Sequence, residues 1–281
     1  MININGTLFS KTNAFIKVEN RGLQYGDAVF ETIRVSGGKI FFWEDHYFRL
    51  MASLRILRME IPMNFTMEFL EEEVMKTVNV STERDQSYRV KILVSRKPGG
   101  KYTPIDNDVE YCITSESIDS SFYTINDSFY NVELFKDHFI SSGLLSTIKT
   151  NTKIINVLGS IFAKENEFNN CLLLNEKKQV VEAINGNIFL VKGSLIITPP
   201  LEDGCIKGIL RKQIISICTQ LPEYTIEETS VSSFDLLKAD ELFITNVIVG
   251  IQPVTKYRRK EFSITVAKEL LQKLNAKARI S

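Results

Sequence analysis

Polar and apolar positions alternate with period two at the start of the chain. MINI and TLF, within residues 1–9, read as a short strand pair turning at Asn5-Gly6, a dipeptide suited to a tight hairpin. Val29 to Val35 and Lys39 to Trp43 are strand-like, with Gly37-Gly38 marking the turn between them. Gln24 to Asp27 interrupt the pattern as a loop with a Gly-Asp step. The period then becomes helical. Asp45 can cap a helix running HYFRLMASLRILRM, striped by Phe48, Met51, Leu54 and Leu57 or by Tyr47, Leu50 and Leu54. Met67, Leu70, Val74 and Val78 recur at helical spacing in TMEFLEEEVMKTVNV, residues 66–80. Period two returns where Tyr88, Val90, Ile92 and Val94 share a strand face. Arg96 continues that parity into a Pro-Gly-Gly loop, and 109–115 form another strand.

The Ser-rich segment SESIDSSFYTINDSF reads as an interdomain connection, giving an N-terminal domain at 1–118, a linker at 119–124 and a C-terminal domain at 125–281. The second part opens with the strand-like YNVELFKDHF and the loop ISSGLLSTIKT. From Lys153 to Lys164 the pattern is helical, with Ile154, Val157, Leu158, Ile161 and Phe162 at core spacing. CLLL and QVVEA read as strands around the turn Asn175 to Lys178, and NIFLVKGSLIITPP as a hairpin turning at Lys192-Gly193. DGCIKGILRKQIISIC places a glycine just before an amphipathic helix, whose first free amides make a ready anion site. Leu242 to Thr245 form a strand leading into a loop, and 261–276 a terminal helix.

Composition narrows the chemistry. At 281 residues, two lobes are expected. Lys plus Arg balance Asp plus Glu at 34 each, which removes a bulk electrostatic case for nucleic acid or an anionic membrane and favours small-molecule chemistry. The amino terminus lacks a basic stretch followed by a long apolar core, and no segment approaches a membrane span, so a cytoplasmic protein is expected. Cys112, Cys171, Cys205 and Cys218 are widely spaced without a Cys-x-x-Cys pair, which points to free thiols and away from a metal site. With only His46 and His138 present, histidine-based catalysis has little material.

Lysine chemistry is not limited in this way. Lys149 and Lys153 lie at the mouth of a helix-like run, and Glu182 lies where a later strand ends in a small polar loop. An amine that takes up an aldehyde and a carboxylate facing a pyridine nitrogen are what a pyridoxal phosphate site needs. Taken alone, each residue reads more readily as a solvated surface charge, and the pair gains weight only from its context. Arg49, Arg55 and Arg58 lie off their helix stripe, as a solvated basic face would. Arg96, at the end of an apolar strand face, can fork onto a substrate carboxylate or emerge into water.

The blocks YGDAVFETIR (25–34), DHYFRL (45–50), LVSRKPGG (93–100), IKTNTKIINVLGSIFAKE (148–165), VVEAINGNIFLVKGSLIITPP (180–200), GCIKGILR (204–211) and ELFITNVIVGIQPV (241–254) together resemble the class IV aminotransferases. These fold-type IV pyridoxal phosphate enzymes include branched-chain and D-amino-acid aminotransferases and aminodeoxychorismate lyases. The resemblance spans nearly the whole chain. It implies an α+β fold with a small α/β N-terminal domain and a larger C-terminal domain built on a pseudo-barrel sheet. It also implies active sites between the lobes near a homodimer interface.

Carried across residue by residue, the resemblance puts the cofactor-holding lysine on Lys149, counted back without gaps from Val157-Leu158. Lys153 is the runner-up, because it meets the family's Lys-x-x-Asn pattern with Asn156; in the Lys149 register Thr152 stands where Asn is usual. Glu182 falls on the pyridine-nitrogen carboxylate and Arg49 on the phosphate-binding arginine. The amides of Ile209 and Leu210 fall on the phosphate cup, with Leu210 replacing a frequent Thr, and Asn246 on a further phosphate contact. Arg96 becomes the candidate for a substrate carboxylate.

The implied activity is amino-group transfer between an amino acid and a 2-oxo acid. Aminodeoxychorismate lyase chemistry is the alternative, since LVSRKPGG resembles the lyase's Ser-Arg-x-x-Gly-Gly segment, and FETIR and ITNVIVG depart from branched-chain enzymes. A non-catalytic pyridoxal phosphate-binding homologue is the reading of another class.

Overall fold

Asn5 and Gly6 both adopt positive φ, 49° and 86°, and join strands β1 (Ile2–Ile4) and β2 (Thr7–Phe9) in the tight hairpin that their residue types favour. The computed structural model describes residues 1–78 and 86–281. The chain divides into two units. One is Met1–Phe122 with Ile148–Thr152 and Ser281; the other is Tyr123–Thr147 with Lys153–Ile280.

After the hairpin, the first unit contains α1 (Arg21–Tyr25), β3 (Ala28–Ser36), β4 (Lys39–Ile40), α2 (Trp43–Ile56), α3 (Met67–Val78), β5 (Ser87–Arg96) and β6 (Val109–Ile118). Its strands make one antiparallel sheet in the order β2-β1-β6-β5-β3-β4. The period-two residues Val29, Ile33, Tyr88, Val90, Ile92 and Val94 face the same core as Leu50, Met51 and Leu54 of α2 and Leu70 and Val74 of α3. The stripe of α2 is therefore the Tyr47, Leu50, Leu54 one, and Phe48 lies 54% exposed.

Several local expectations shift. Helix α2 begins at Trp43 after Phe42, which takes φ 57°, so Asp45 lies in the first turn and does not cap it. There a carboxylate still complements the helix dipole. The strand expected over Lys39 to Trp43 shrinks to two residues. Gln24 and Tyr25 belong to α1, capped by the Asn20 side chain and ended by Gly26 at φ 66°. Strand β6 runs three residues beyond the expected 109–115. The last two residues of the helix expected at 66–80 lie outside the described residues.

The second unit contains β7 (Asn131–Ile140), α4 (Leu144–Thr147), α5 (Ile154–Glu165), β8 (Asn170–Asn175), β9 (Val180–Ala183), β10 (Asn187–Lys192), β11 (Leu195–Thr198), α6 (Ile209–Cys218), β12 (Thr225–Glu228), α7 (Ser233–Lys238), β13 (Glu241–Asn246), β14 (Gly250–Val254), β15 (Lys256–Tyr257), β16 (Lys260–Glu261) and α8 (Thr265–Ile280). Two five-stranded sheets, β12-β11-β10-β13-β14 and β16-β15-β7-β8-β9, share one core. Leu134, Leu172 and Val180 from one meet Ile188, Leu190, Leu242 and Ile244 from the other. This is the pseudo-barrel of the mixed α+β fold.

Helix α4 occupies part of the expected loop 140–150. The terminal helix starts at Thr265 because Lys260–Glu261 pairs with Lys256–Tyr257 as a strand. On α5 the buried positions are Gly159 and Ala163; Ile154, Val157 and Ile161, expected in the core, are exposed. Gly159 lets the helix approach closely, since a Cβ there would lie 3.4 Å from Leu173 and 3.6 Å from Phe135. No helix among the described residues is long and apolar enough to cross a membrane.

Candidate active site

In the first unit the site is built on β3. Alternation turns Glu31 to the side of the sheet that α2 covers, and His46 and Arg49, three residues apart on α2, lie together above it. Arg49 donates from Nε to Glu31 Oε1 at 2.7 Å and from Nη2 to Oε2 at 2.6 Å. His46 Nδ1 lies 2.7 Å from the same Oε2. Burial pushes the Glu31 carboxyl up, but the Arg49 charge and the His46 contact outweigh it and hold the group at about 2. Burial holds His46 below its ordinary value despite the Glu31 carboxylate, and the charges of Arg49 and Lys149 act in the same direction. His46 is fully buried, and its Nε2 has no hydrogen-bond partner among the described residues.

The segment 148–152 joins β3 as a further antiparallel partner. Phe30 N–H donates to the Lys149 carbonyl at 2.8 Å, Asn151 N–H donates to the Ala28 carbonyl at 2.9 Å, and Val29 bridges Thr150. Opposed residues share a face, so the half-buried Lys149 side chain lies on Phe30, with Nζ 4.2 Å from the ring centroid. Lys153 is in the other unit, at the N-cap of α5. Asn156, its Lys-x-x-Asn partner, donates from Nδ2 to the Ile184 carbonyl at 2.7 Å, which ties the first turn of α5 to the end of β9.

Arg96 requires a correction. The guanidinium is buried and saturated by protein: Nε and Nη2 reach Asp27, Nη2 also donates to the Leu57 carbonyl at 2.7 Å, and Nη1 reaches the Arg58 carbonyl and the Asn107 side chain. Its five N–H groups are all used. It fastens the loop after β5 to Asp27 and the end of α2, and no donor remains for a substrate carboxylate. Arg55 and Arg58 are exposed, as a solvated face would be.

In the second unit, Glu182 on β9 is 4% exposed and accepts the Ile206 N–H at Oε2, 2.9 Å away. The Ile206 carbonyl accepts from Asn187 Nδ2 at 2.8 Å and from Gly208 N–H at 2.8 Å. Gly208 is the N-cap of α6 and supplies no side-chain cap. The amides of Ile209 and Leu210, both buried residues, have no acceptor among the described residues. One residue, Ile206, therefore links a buried carboxylate through its N–H to an uncapped helix start through its carbonyl. Thr245, opposite Asn187 in the sheet, adds a buried Oγ1 without a hydrogen-bond partner among the described residues. Asn246 Oδ1 is engaged by the amides of Ile248 and Val249 at 3.1 and 3.0 Å and shapes the turn after β13.

These residues fit pyridoxal phosphate. Uncapped amides suit a phosphate, and a buried, oriented carboxylate suits a pyridinium. Glu31, His46 and Thr245 had no signal in the sequence beyond the parity that places Glu31 between Val29 and Ile33.

The amino-transferase class IV family matches residues 28–257. The "Putative branched-chain-amino-acid aminotransferase" of Methanocaldococcus jannaschii is 30% identical over 280 residues, covering 98% of this chain and 94% of that one. The aminodeoxychorismate lyase of Vibrio harveyi is 27% identical over 243 residues, covering 85% and 86%. The crystal structure of the branched-chain amino acid aminotransferase from Thermobaculum terrenum in its PLP form is similar in fold, with a TM-score of 0.83 at 22% identity, covering 100% and 94%. The chain belongs to the class IV aminotransferase family.

Proposed function

We propose that the protein is a pyridoxal phosphate-dependent aminotransferase that moves an amino group between an amino acid and a 2-oxo acid. The observation that carries this reading is Ile206, whose N–H orients buried Glu182 and whose carbonyl accepts the Gly208 N–H just before the uncapped amides of Ile209 and Leu210. When bound, the cofactor supplies the electron sink for the carbanion formed at the substrate α-carbon. Glu182, oriented by the Ile206 N–H, would hold the pyridine nitrogen. In the second unit the Ile209 and Leu210 amides would receive the phosphate, with the Asn246 side-chain amide a further candidate donor; in the first unit Arg49, held by Glu31, is the candidate cation for it. Lys149 would hold the cofactor's aldehyde, and its Nζ would carry the proton of the substrate α-carbon. Its contact with Phe30 and the action of its charge on His46, which Arg49 shares, favour it over Lys153.

The lyase alternative keeps as support the similarity to the Vibrio harveyi enzyme and the departures of FETIR and ITNVIVG from branched-chain enzymes. The lyase-like Ser-Arg segment discriminates less than its sequence implies, because Arg96 performs a structural task.

Visible absorption after adding pyridoxal phosphate tests the reading. A wild-type chain that stays colourless sinks it. Lys149→Ala is expected to lose the band while Lys153→Ala keeps it, and the reverse moves the role to Lys153. Amino-group transfer to 2-oxoglutarate without pyruvate release from aminodeoxychorismate identifies the transaminase; pyruvate release without transfer identifies the lyase.

A further inference from the structure

The loop 247–249, between β13 and β14, is gripped at both ends by one side chain. Tyr123, 3% exposed, donates from its hydroxyl to the Val247 carbonyl at 2.9 Å. At the other end its ring lies against Gly250, which takes φ 83°; a Cβ there would meet ring carbons of Tyr123 at 2.7 and 2.8 Å. Tyr123 is itself fixed by α8. Its N–H donates to Asn275 Oδ1 at 3.0 Å, and its carbonyl accepts from Asn275 Nδ2 at 2.7 Å. We propose that Tyr123 is a positioning residue for the cofactor's phosphate, acting through Asn246, an inference that rests on the pyridoxal phosphate reading above.

The route from the hydroxyl to the phosphate runs through the loop's own hydrogen bonds. Asn246 Oδ1 accepts the Ile248 and Val249 N–H groups at 3.1 and 3.0 Å. A side-chain amide is planar, so two donors on its oxygen fix where its nitrogen points. That Nδ2 has no acceptor among the described residues and is the group left for a phosphate oxygen. The two backbone donors keep their places only while the loop keeps its shape, and Tyr123 sets that shape from Val247 and from Gly250. The loop also stands at the appropriate end of its sheet. Thr245, just before Asn246, pairs with Asn187, whose Nδ2 holds the Ile206 carbonyl two residues ahead of the α6 N-cap. A phenylalanine would fill the same space against Gly250, so the hydroxyl carries the positioning.

Titration with pyridoxal phosphate and with pyridoxal, read from the visible band beside the urea midpoint, tests the proposal. Tyr123→Phe keeps the ring and is expected to weaken pyridoxal phosphate binding roughly two- to tenfold, the range for one net hydrogen bond, while pyridoxal binding is unchanged. Asn246→Ala gives a loss of the same kind. Tyr123→Phe added to it costs nothing further, because the tyrosine acts through the asparagine. Asn275→Ala, which frees the Tyr123 main chain from α8, shows the same phosphate-specific loss and replaces Tyr123→Phe if that variant does not fold. Unchanged phosphate affinity in the folded variant, an equal loss for both ligands, or additive losses in the double variant overturns the proposal and leaves the parent reading standing. A wild type that never becomes coloured with pyridoxal phosphate overturns the parent reading and this one with it.

Discussion

Arg49 meets Glu31 through two parallel hydrogen bonds, 2.7 Å from Nε to Oε1 and 2.6 Å from Nη2 to Oε2, with both side chains almost wholly out of water. Such a fork fixes the plane of the guanidinium as well as its charge. Glu31→Gln keeps the shape and removes the charge that the Arg49 fork meets. Removing one partner of a buried pair costs roughly 3–5 kcal/mol, so the urea midpoint is expected to fall by a corresponding amount. Cofactor retention on dialysis should fall as well. An unchanged midpoint and unchanged retention would show that Arg49 does not depend on Glu31.

The same cluster sets an acid limit. Glu31 falls from 4.5 to about 2 on folding, and His46 also titrates below its ordinary 6.5. In both cases the unfolded chain binds protons that the folded chain refuses, so stability present above the unfolded value is lost as pH falls. The decline begins near pH 6.5 through His46 and continues from pH 4.5 to about 2 through Glu31, where the shift corresponds to about 3 kcal/mol. Urea titrations between pH 7 and 3 should show this slope in the wild type and a shallower one in Glu31→Gln below pH 4.5.

Gly26 sits at φ 66°, and a Cβ built there would lie 2.8 Å from Thr152 Oγ1. Gly26→Ala is expected to cost roughly 1–2 kcal/mol in backbone strain, with a further loss from displacing the segment that carries Lys149. The double variant Gly26→Ala, Thr152→Ala should recover the second part and not the first. Thermal unfolding reads the strain, and the intensity of the cofactor band reads the displacement. A double variant no better than the single one would mean that Thr152 yields without moving Lys149.

What the chain discloses locally and what it withholds divide along contact range. Tyr88, Val90, Ile92 and Val94 announce β5 because a half-buried strand imposes period two, and Asn5-Gly6 announces its hairpin because few other residues accept both positive φ values. Glu31, by contrast, reads as an ordinary charge among VFETIR; its partners are 15 and 18 residues away on a helix whose approach no periodicity specifies. Arg96 misled for the same reason, since its acceptors are up to 69 residues distant. Ile154, Val157 and Ile161 keep core spacing while exposed, so the helical pattern alone overstated what α5 buries. Lys149, Lys153 and Glu182 stand out as candidates in the sequence and the resemblance selects Lys149 and assigns the roles, whereas the Ile206 N–H that orients Glu182 has no sequence signature.

Ile206 supplies the last prediction. Gly208 has φ −69°, which any residue adopts, so Gly208→Ala carries no backbone strain. A Cβ there would nevertheless fall 1.9 Å from Asn187 Oδ1 and force Asn187 to shift. Asn187 Nδ2 holds the Ile206 carbonyl, and the Ile206 N–H holds Glu182, so the displacement passes along one hydrogen-bonded chain to the carboxylate and to the start of α6. Loss of two aligned contacts should weaken pyridoxal phosphate binding by roughly tenfold or more, with little change in the urea midpoint because no apolar core is opened. Titration with pyridoxal, which lacks the phosphate, separates the two ends. A smaller loss for pyridoxal places the damage at the Ile209 and Leu210 amides, and an equal loss places it at Glu182. Asn187→Ala in the Gly208→Ala background removes the clashing oxygen and also the bond to Ile206. It should therefore restore the amides' share of the affinity and leave the Glu182 share unrestored. Cofactor affinity unchanged in Gly208→Ala would mean that Asn187 swings aside freely and that the Ile206 peptide is held without it.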